Sequence, residues 1–192
     1  MSKKINLQVF ALGKPGTGKT TVLKKRLEEE LLRAGFKLQK TDFGVLLSTP
    51  RVFLHDPARE WSEIMGLPVK DLADGWAYPY TRCETVEELL QVETGPDPCF
   101  FVFDELMLVD RAHYAALTEL CVLRRHRRIA IFAGSQRPAK IPKEVLALSN
   151  SLYVFALSDR DDLLKLKNLL TPEQSARVPR LQVGEFVEVS SV

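Results

Sequence analysis

Cysteine is scarce in this sequence and poorly spaced for metal or redox work. Cys83, Cys99 and Cys121 form no CxxC pair, and His55, His113 and His126 lack metal-ligand spacing. A disulfide scaffold, a zinc module and a thiol redox centre are set aside, and idle thiols in a reducing compartment are expected. Charge of one sign is also missing. The 27 Lys and Arg against 25 Asp and Glu leave a net +2, so a polyanionic partner would have to meet local basic patches. Long apolar runs are absent. The run that stops at Gly13 is too short for a signal core, and no later stretch approaches the ~18 apolar residues of a membrane span. A cytoplasmic protein without a membrane span is expected. Internal repeats and low-complexity tracts are absent too. What is present, 192 residues with 45% hydrophobic and 27% charged, suits one globular domain over residues 1–192 with a sizeable core.

Apolar runs alternate with amphipathic stretches, which predicts an α/β fold with a mostly parallel central sheet flanked by helices. Residues 5–12 read as a buried strand. Residues 19–34 read as a helix, with Val22, Leu23, Leu27, Leu31 and Leu32 at helical spacing and Gly35 stopping it. Residues 51–55 form a short strand ended by Asp56-Pro57, residues 58–65 a short helix, and residues 66–80 an irregular stretch. Trp76, Tyr78 and Tyr80 in that stretch either stack on a single nucleic-acid strand or seal a core or subunit interface. Residues 85–92 look helical, with Thr85 as N-cap and Glu88 completing a capping box. After the break at Gly95-Pro96-Asp97-Pro98, residues 99–103 are continuously apolar, as suits a central strand covered on both faces. Residues 111–124 read as a helix, 128–133 and 152–157 as buried strands, and 159–170 as a helix starting at Ser158. The tail reads as a C-terminal β-hairpin around Val183-Gly184.

The most specific feature is Gly13-Lys14-Pro15-Gly16-Thr17-Gly18-Lys19-Thr20, which fits GxxxxGK[ST] between a strand and a helix. The glycines let the backbone turn its N–H groups inward, where they and the helix N-terminus cradle phosphate oxygens. Lys19 would neutralise the β/γ-phosphates, and the Thr20 hydroxyl would ligate Mg²⁺. The stretch from Gly13 through Thr21 is therefore the expected contact surface for ATP. The alternative, a chance glycine-rich loop, does not account for the flanking strand and helix.

The apolar strand at 99–103 ends in Asp104-Glu105. In a P-loop ATPase the aspartate holds the magnesium shell and the glutamate polarises the attacking water as general base. Taken alone, the pair could equally cap the next helix; beside a phosphate loop the catalytic reading is preferred. A later apolar strand ends at Gly134-Ser135-Gln136-Arg137-Pro138. If that strand borders the phosphate-loop strand, Gln136 comes near the γ-phosphate, where an amide both accepts from water and donates to phosphate. Otherwise it is an ordinary turn ended by Pro138. Arg124, Arg125, Arg127 and Arg128 form the densest positive cluster. It reads as an arginine finger for a neighbour's nucleotide, as a contact with DNA phosphates, or as a solvated helix end. Arg82 and Arg111 are further finger candidates.

The run from Gly134 through the helix at 159–170 resembles the C-terminal half of the HerA/FtsK superfamily of DNA-pumping ATPases, in which a strand ends in a Ser/Thr-Gln-Arg-Pro motif. The segment His55 to Trp61 is similar to that family's Asp-Pro-x-x-Glu turn, the run from Val102 to Leu106 to its Walker B strand, and the Gly-Glu of the tail to its closing hairpin. The resemblance spans nearly the whole chain. It implies a RecA-like core in a homo-oligomeric ring, usually a hexamer, with ATP at subunit interfaces and DNA bound without sequence preference in the channel. It carries roles onto Lys19, Thr20, Asp104, Glu105 and Gln136, and a less defined one onto Glu60. So bare a core resembles the genome-packaging ATPases of tailless, membrane-containing viruses. Virion or adaptor proteins would then be partners, and the location would be host cytoplasm or virion. It resembles more loosely the Zot-type assembly ATPases of filamentous phages. Two rivals stand beside the motor: a P-loop nucleotide or small-molecule kinase, for which no clear lid is found, and a scaffolding protein using ATP as an occupancy switch.

Overall fold

A computed structural model describes residues 7–35, 38–41, 44–47, 51–71, 80–92 and 98–190. In chain order the elements are β1 (Gln8–Leu12), α1 (Lys19–Arg33), β2 (Leu38–Thr41), β3 (Gly44–Leu47), β4 (Arg51–His55), β5 (Glu63–Ile64), β6 (Leu67–Pro68), β7 (Lys70–Asp71), β8 (Tyr80–Cys83) and α2 (Val86–Gln91). There follow β9 (Cys99–Phe103), α3 (Tyr114–Arg127), β10 (Ile129–Ser135), α4 (Lys143–Ala147), β11 (Ser151–Val154), α5 (Arg160–Leu166), α6 (Pro172–Arg177) and β12 (Val187–Ser190). Among the described residues eight strands make one sheet in the order β12-β11-β1-β10-β9-β4-β8-β7. Every pairing in it is parallel except β11 with β12. This is the mostly parallel sheet flanked by helices that the sequence pattern predicts.

The central strands β1, β9 and β10 are almost wholly apolar because both faces of the sheet are covered there. Phe10, Phe53, Phe101, Ile131 and Val154 face one core, which Leu89 of α2, Leu117 of α3, Val145 of α4 and Leu166 of α5 complete. Val9, Val52, Phe100, Phe132 and Tyr153 face the other, closed by Leu23, Leu27 and Leu31 of α1 and by Trp61. The alternation follows from the two-residue period of a strand.

Several local expectations need correction. Residues 58–65 form no helix: a turn leads into β5, which pairs with β6. The Asp56 carboxylate takes the N–H groups of Glu60 and Trp61, and Arg59 (φ 54°) and Met65 (φ 51°) lie in the left-handed region, so no helical turn closes. The stretch 66–80, expected to be irregular, contributes β6, β7 and the start of β8; Trp76 and Tyr78 lie outside the described residues. Tyr80 is fully buried in the core, as the sealing reading of that aromatic has it. Thr85 caps α2 by accepting from Glu88 N (3.1 Å), but the Glu88 carboxylate reaches back to Glu84 N, so the box closes one residue early. The helix expected over 111–124 begins as a short 3₁₀ turn (Arg111–His113) and runs on as α3 through Arg127. The cap of α5 is Asp159, one residue beyond Ser158. The tail turns at Val183-Gly184, where Glu185 N meets Gln182 O (3.0 Å), yet it makes no hairpin among the described residues. Its one strand, β12, pairs antiparallel with β11 and forms the edge of the sheet there.

Candidate functional site

β1 lies between β11 and β10, and its end feeds the phosphate loop. The loop is tied to both neighbours: Gly13 N donates to Ser135 O (3.0 Å) and Lys14 N to Ala156 O (3.1 Å). Gly13 has no room for a side chain, since a Cβ there would stand 2.5 Å from Phe155 Cβ. Gly16 and Gly18 turn the chain at φ 70° and 101°, where only glycine is at ease. Gly18 starts α1 with no side-chain cap, which leaves the first N–H groups of a 15-residue helix for an anion. The carbonyl of Lys14 accepts from Thr17 Oγ1 (2.8 Å) and from Lys19 Nζ (2.9 Å).

β9 delivers Asp104 and Glu105 to the same edge. Asp104 N donates to His55 O (3.0 Å), and Asp104 Oδ1 accepts from the Thr20 hydroxyl (3.2 Å). β10 runs between β1 and β9, and its exit sets Gln136 between the phosphate loop and the acidic pair. Gln136 N donates to Glu105 Oε1 at 3.0 Å. Lys19, Thr20, Thr21, Asp104, Glu105 and Gln136 line one cleft of about 590 Å³, together with Pro15, Gly16, Gly18 and Glu60. Gly13, Lys14 and Thr17 of the expected contact set stand behind this lining. They shape the loop through the contacts just described.

The electrostatics of the cleft are set by burial and by its own carboxylates. Burial pushes the Lys19 ammonium below its ordinary value, while Glu105, Asp104 and Glu60 pull the other way. Burial also pushes the Asp104 carboxyl up, helped by Asp56 and Glu60. The donor set fits Mg²⁺. A hydroxyl and a carboxylate, both hard oxygen donors, already meet at 3.2 Å beside the phosphate cradle. Mg²⁺ takes one or two protein oxygens and fills its shell from water and phosphate.

The turn after β4, similar on sequence to a family turn, is built into the site through Glu60, whose Oε2 accepts from Thr20 Oγ1 (3.0 Å). Sequence reasoning missed what anchors it. Asp56 is buried and paired with Arg82 (3.3 Å), which also reaches Asp71 (2.9 Å). These bonds correct the candidacy of Arg82 as an arginine finger. The Arg137 of the Gln-Arg-Pro run pairs with Asp159 (3.1 Å) and Asp162 (2.9 Å), and Asp162 also accepts from Ala139 N, so α5 holds the loop that carries Gln136.

The arginine cluster lies at the opposite edge of the sheet, where Arg128 O meets Cys99 N at the start of β9. Arg124 is 2% exposed and donates to the carbonyls of Cys121 and Leu148 and to Asn150 Oδ1. Its guanidinium is a structural cation, which corrects its candidacy for a finger or a DNA contact. Arg125, Arg127 and Arg128 are exposed there. A second cleft of about 870 Å³ adjoins the first across Leu108. Arg111, Lys140 and Lys165 line it. The three cysteines are buried and free, and burial pushes each thiol up to about 12. No helix among the described residues is long and apolar enough to cross a membrane.

No protein-family model and no curated protein matches the chain. Solved structures do. The genome-packaging NTPase B204 of Sulfolobus turreted icosahedral virus 2, in complex with AMPPCP, aligns with a TM-score of 0.68 at 16% identity, over 96% of this chain and 92% of that one. B204, the DNA-packaging ATPase from Sulfolobus turreted icosahedral virus, aligns with a TM-score of 0.65 at 13% identity, over 98% and 99% of the two chains. The N-terminal domain of zonular occludens toxin from Neisseria meningitidis aligns with a TM-score of 0.50 at 14% identity, over 98% and 94%. At such identities the likeness is one of fold: this chain has the P-loop NTPase fold of the viral packaging enzymes, nearly end to end.

Proposed function

We propose that the chain is an ATP-hydrolysing DNA translocase of the HerA/FtsK type, working as a homo-oligomeric ring in genome packaging or DNA pumping. The observation that carries the ATPase part is the meeting of Lys19, Thr20, Asp104, Glu105 and Gln136 in one cleft at the carboxyl edge of the sheet. The phosphate loop and the first turn of α1 hold the triphosphate, and Lys19 exchanges the Lys14 carbonyl for phosphate oxygen. Magnesium held by Thr20 and Asp104 would supply positive charge against the phosphate oxygens. Glu105 takes a proton from water as its oxygen attacks the γ-phosphorus, and the bond to the β-phosphate oxygen breaks to give ADP and phosphate. The Gln136 backbone N–H, 3.0 Å from Glu105 Oε1, orients that carboxylate. Its amide side chain lines the cleft where it can follow the presence of the γ-phosphate.

DNA as the partner is supported by the second cleft. Arg111, Lys140 and Lys165 line it beside Asp110 and Asp161, and both catalytic strands run into its walls. Glu105 leads into the 3₁₀ turn Leu106–Leu108, and Gln136 into the 3₁₀ turn Pro138–Lys140. A phosphate backbone in this cleft would sit on the segments that carry the general base and the amide. That DNA-packaging enzymes share the fold fits this reading.

The test is ATP turnover with and without duplex DNA, alongside light scattering with and without ATP. Turnover should rise with DNA, and nucleotide should favour a ring, expected to be a hexamer. Replacing Arg111, Lys140 and Lys165 by Ala should weaken DNA binding and flatten the salt dependence of log K by up to about 3. A steady turnover indifferent to DNA, from a chain that stays monomeric, would refute the motor.

A further inference from the structure

The Thr20 hydroxyl has one proton and two carboxylates within reach. Glu60 Oε2 lies at 3.0 Å and Asp104 Oδ1 at 3.2 Å. One hydroxyl cannot donate to both. We propose that Glu60 is a positioning residue for the metal: it accepts the Thr20 hydroxyl's hydrogen bond, so that the hydroxyl lone pair and Asp104 are both left to face the cation. Asp56 and Arg82 are in turn the residues that hold Glu60 in place. This rests on the ATPase reading above.

The construction around Glu60 is heavier than a surface turn requires. Asp56, 1% exposed, accepts from Glu60 N (2.9 Å) and Trp61 N (3.0 Å). Arg82, 8% exposed, donates to Asp56 from two nitrogens (3.3 and 3.4 Å) and to Trp61 O (2.8 Å). Lys24 of α1 grips Glu60 O (2.7 Å) and lies over the Trp61 ring (5.3 Å), which joins the turn to the helix that carries Thr20. A buried ion pair gains little stability over apolar side chains of the same volume. What it does fix is the orientation of every group it bonds. Here the bonded groups are the two backbone amides that aim Glu60 at Thr20. Partners behind a metal ligand set its orientation and its affinity in the same way elsewhere.

The affinity of a non-hydrolysable fluorescent ATP analogue, measured with Mg²⁺ and with EDTA, separates this from a structural role. Glu60→Ala should weaken binding in Mg²⁺ by roughly tenfold to a hundredfold and leave binding in EDTA unchanged. Glu60→Gln keeps an oxygen acceptor and should recover most of the loss. Arg82→Lys cannot span Asp56 and Trp61 together, so it should show the same Mg²⁺-specific loss, and that loss should vanish in a Glu60→Ala background. The idea is overturned if Glu60→Ala shifts both affinities equally or neither, if Glu60→Gln behaves as Glu60→Ala, or if the Arg82→Lys loss persists without Glu60. A wild-type chain that binds no analogue in either buffer instead refutes the ATPase reading itself.

Discussion

Gly134 is the residue whose replacement most directly tests how β9 and β10 bring the acidic pair to Gln136. A Cβ at this position would stand 2.5 Å from the carbonyl oxygen of Asp104, and 3.4 Å from Asp104 C and from Leu23 Cδ1. The leucine tip can yield. The carbonyl cannot, because the same residue is held through its N–H to His55 O (3.0 Å). Ordinary contact begins at 3.4 Å, so Gly134→Ala asks for roughly 0.9 Å of backbone movement, an overpacking that costs about 1–3 kcal/mol. A chain of this size loses about 2–4 °C of melting temperature per kcal/mol. If the movement falls on Asp104 and Glu105, a misplacement near 1 Å costs about 10²-fold in turnover. Thermal melting and steady-state ATP turnover measure the two effects. Gly16→Ala is the contrast: nothing stands within 4 Å of its added Cβ, so its cost is only that of a left-handed alanine, about 1–2 kcal/mol, with no push on Asp104. A Gly134→Ala chain with wild-type melting and turnover would show that the ends of these strands are not packed as described.

Glu105→Gln keeps shape and removes the base, so turnover should fall by about 10²–10⁴ while analogue binding holds; unchanged turnover would move the base elsewhere. Burial raises the folded-state pKa of Asp104, so between its ordinary 3.8 and that raised value the native chain binds more protons than the unfolded one. Its contribution to stability therefore falls as pH rises through that window. Asp104→Asn should melt higher than wild type at neutral pH without nucleotide, lose this component of the pH dependence, and bind the analogue no better with Mg²⁺ than with EDTA. A lower melting temperature for Asp104→Asn at pH 7 would contradict the sign. Cys83, Cys99 and Cys121, with thiols pushed up to about 12, should resist a disulfide reagent in the native chain and all react once it is unfolded; rapid native labelling would place one of them at the surface.

The members of the site were readable in the sequence where chemistry is local. A loop of three glycines and a lysine between an apolar run and a helix, or an apolar run ending in two carboxylates, declares itself within eight residues. The arginine cluster shows where local reading errs. Leu117, Leu120, Cys121 and Arg124 follow the spacing of one helix face, and all four are buried. Helical phase therefore marks Arg124 as an inward residue, although its charge groups it with its exposed neighbours. The stretch 58–65 reads as a helix on composition, whereas one buried carboxylate, that of Asp56, competes for the amides that would start it. Partnership between distant elements could not be read at all. Nothing near Gln136 says that β10 lies between β1 and β9, and nothing near Glu60 says that β4 lies beyond β9. Yet that order brings residues 20, 60, 104 and 136 to one edge, because parallel strands joined by crossovers all end on the same side of the sheet. The Thr20 hydroxyl is where this non-local information becomes chemical. Its two acceptors come from turns 44 residues apart in the chain, and which of them accepts its hydrogen bond depends on the topology as much as on the motif.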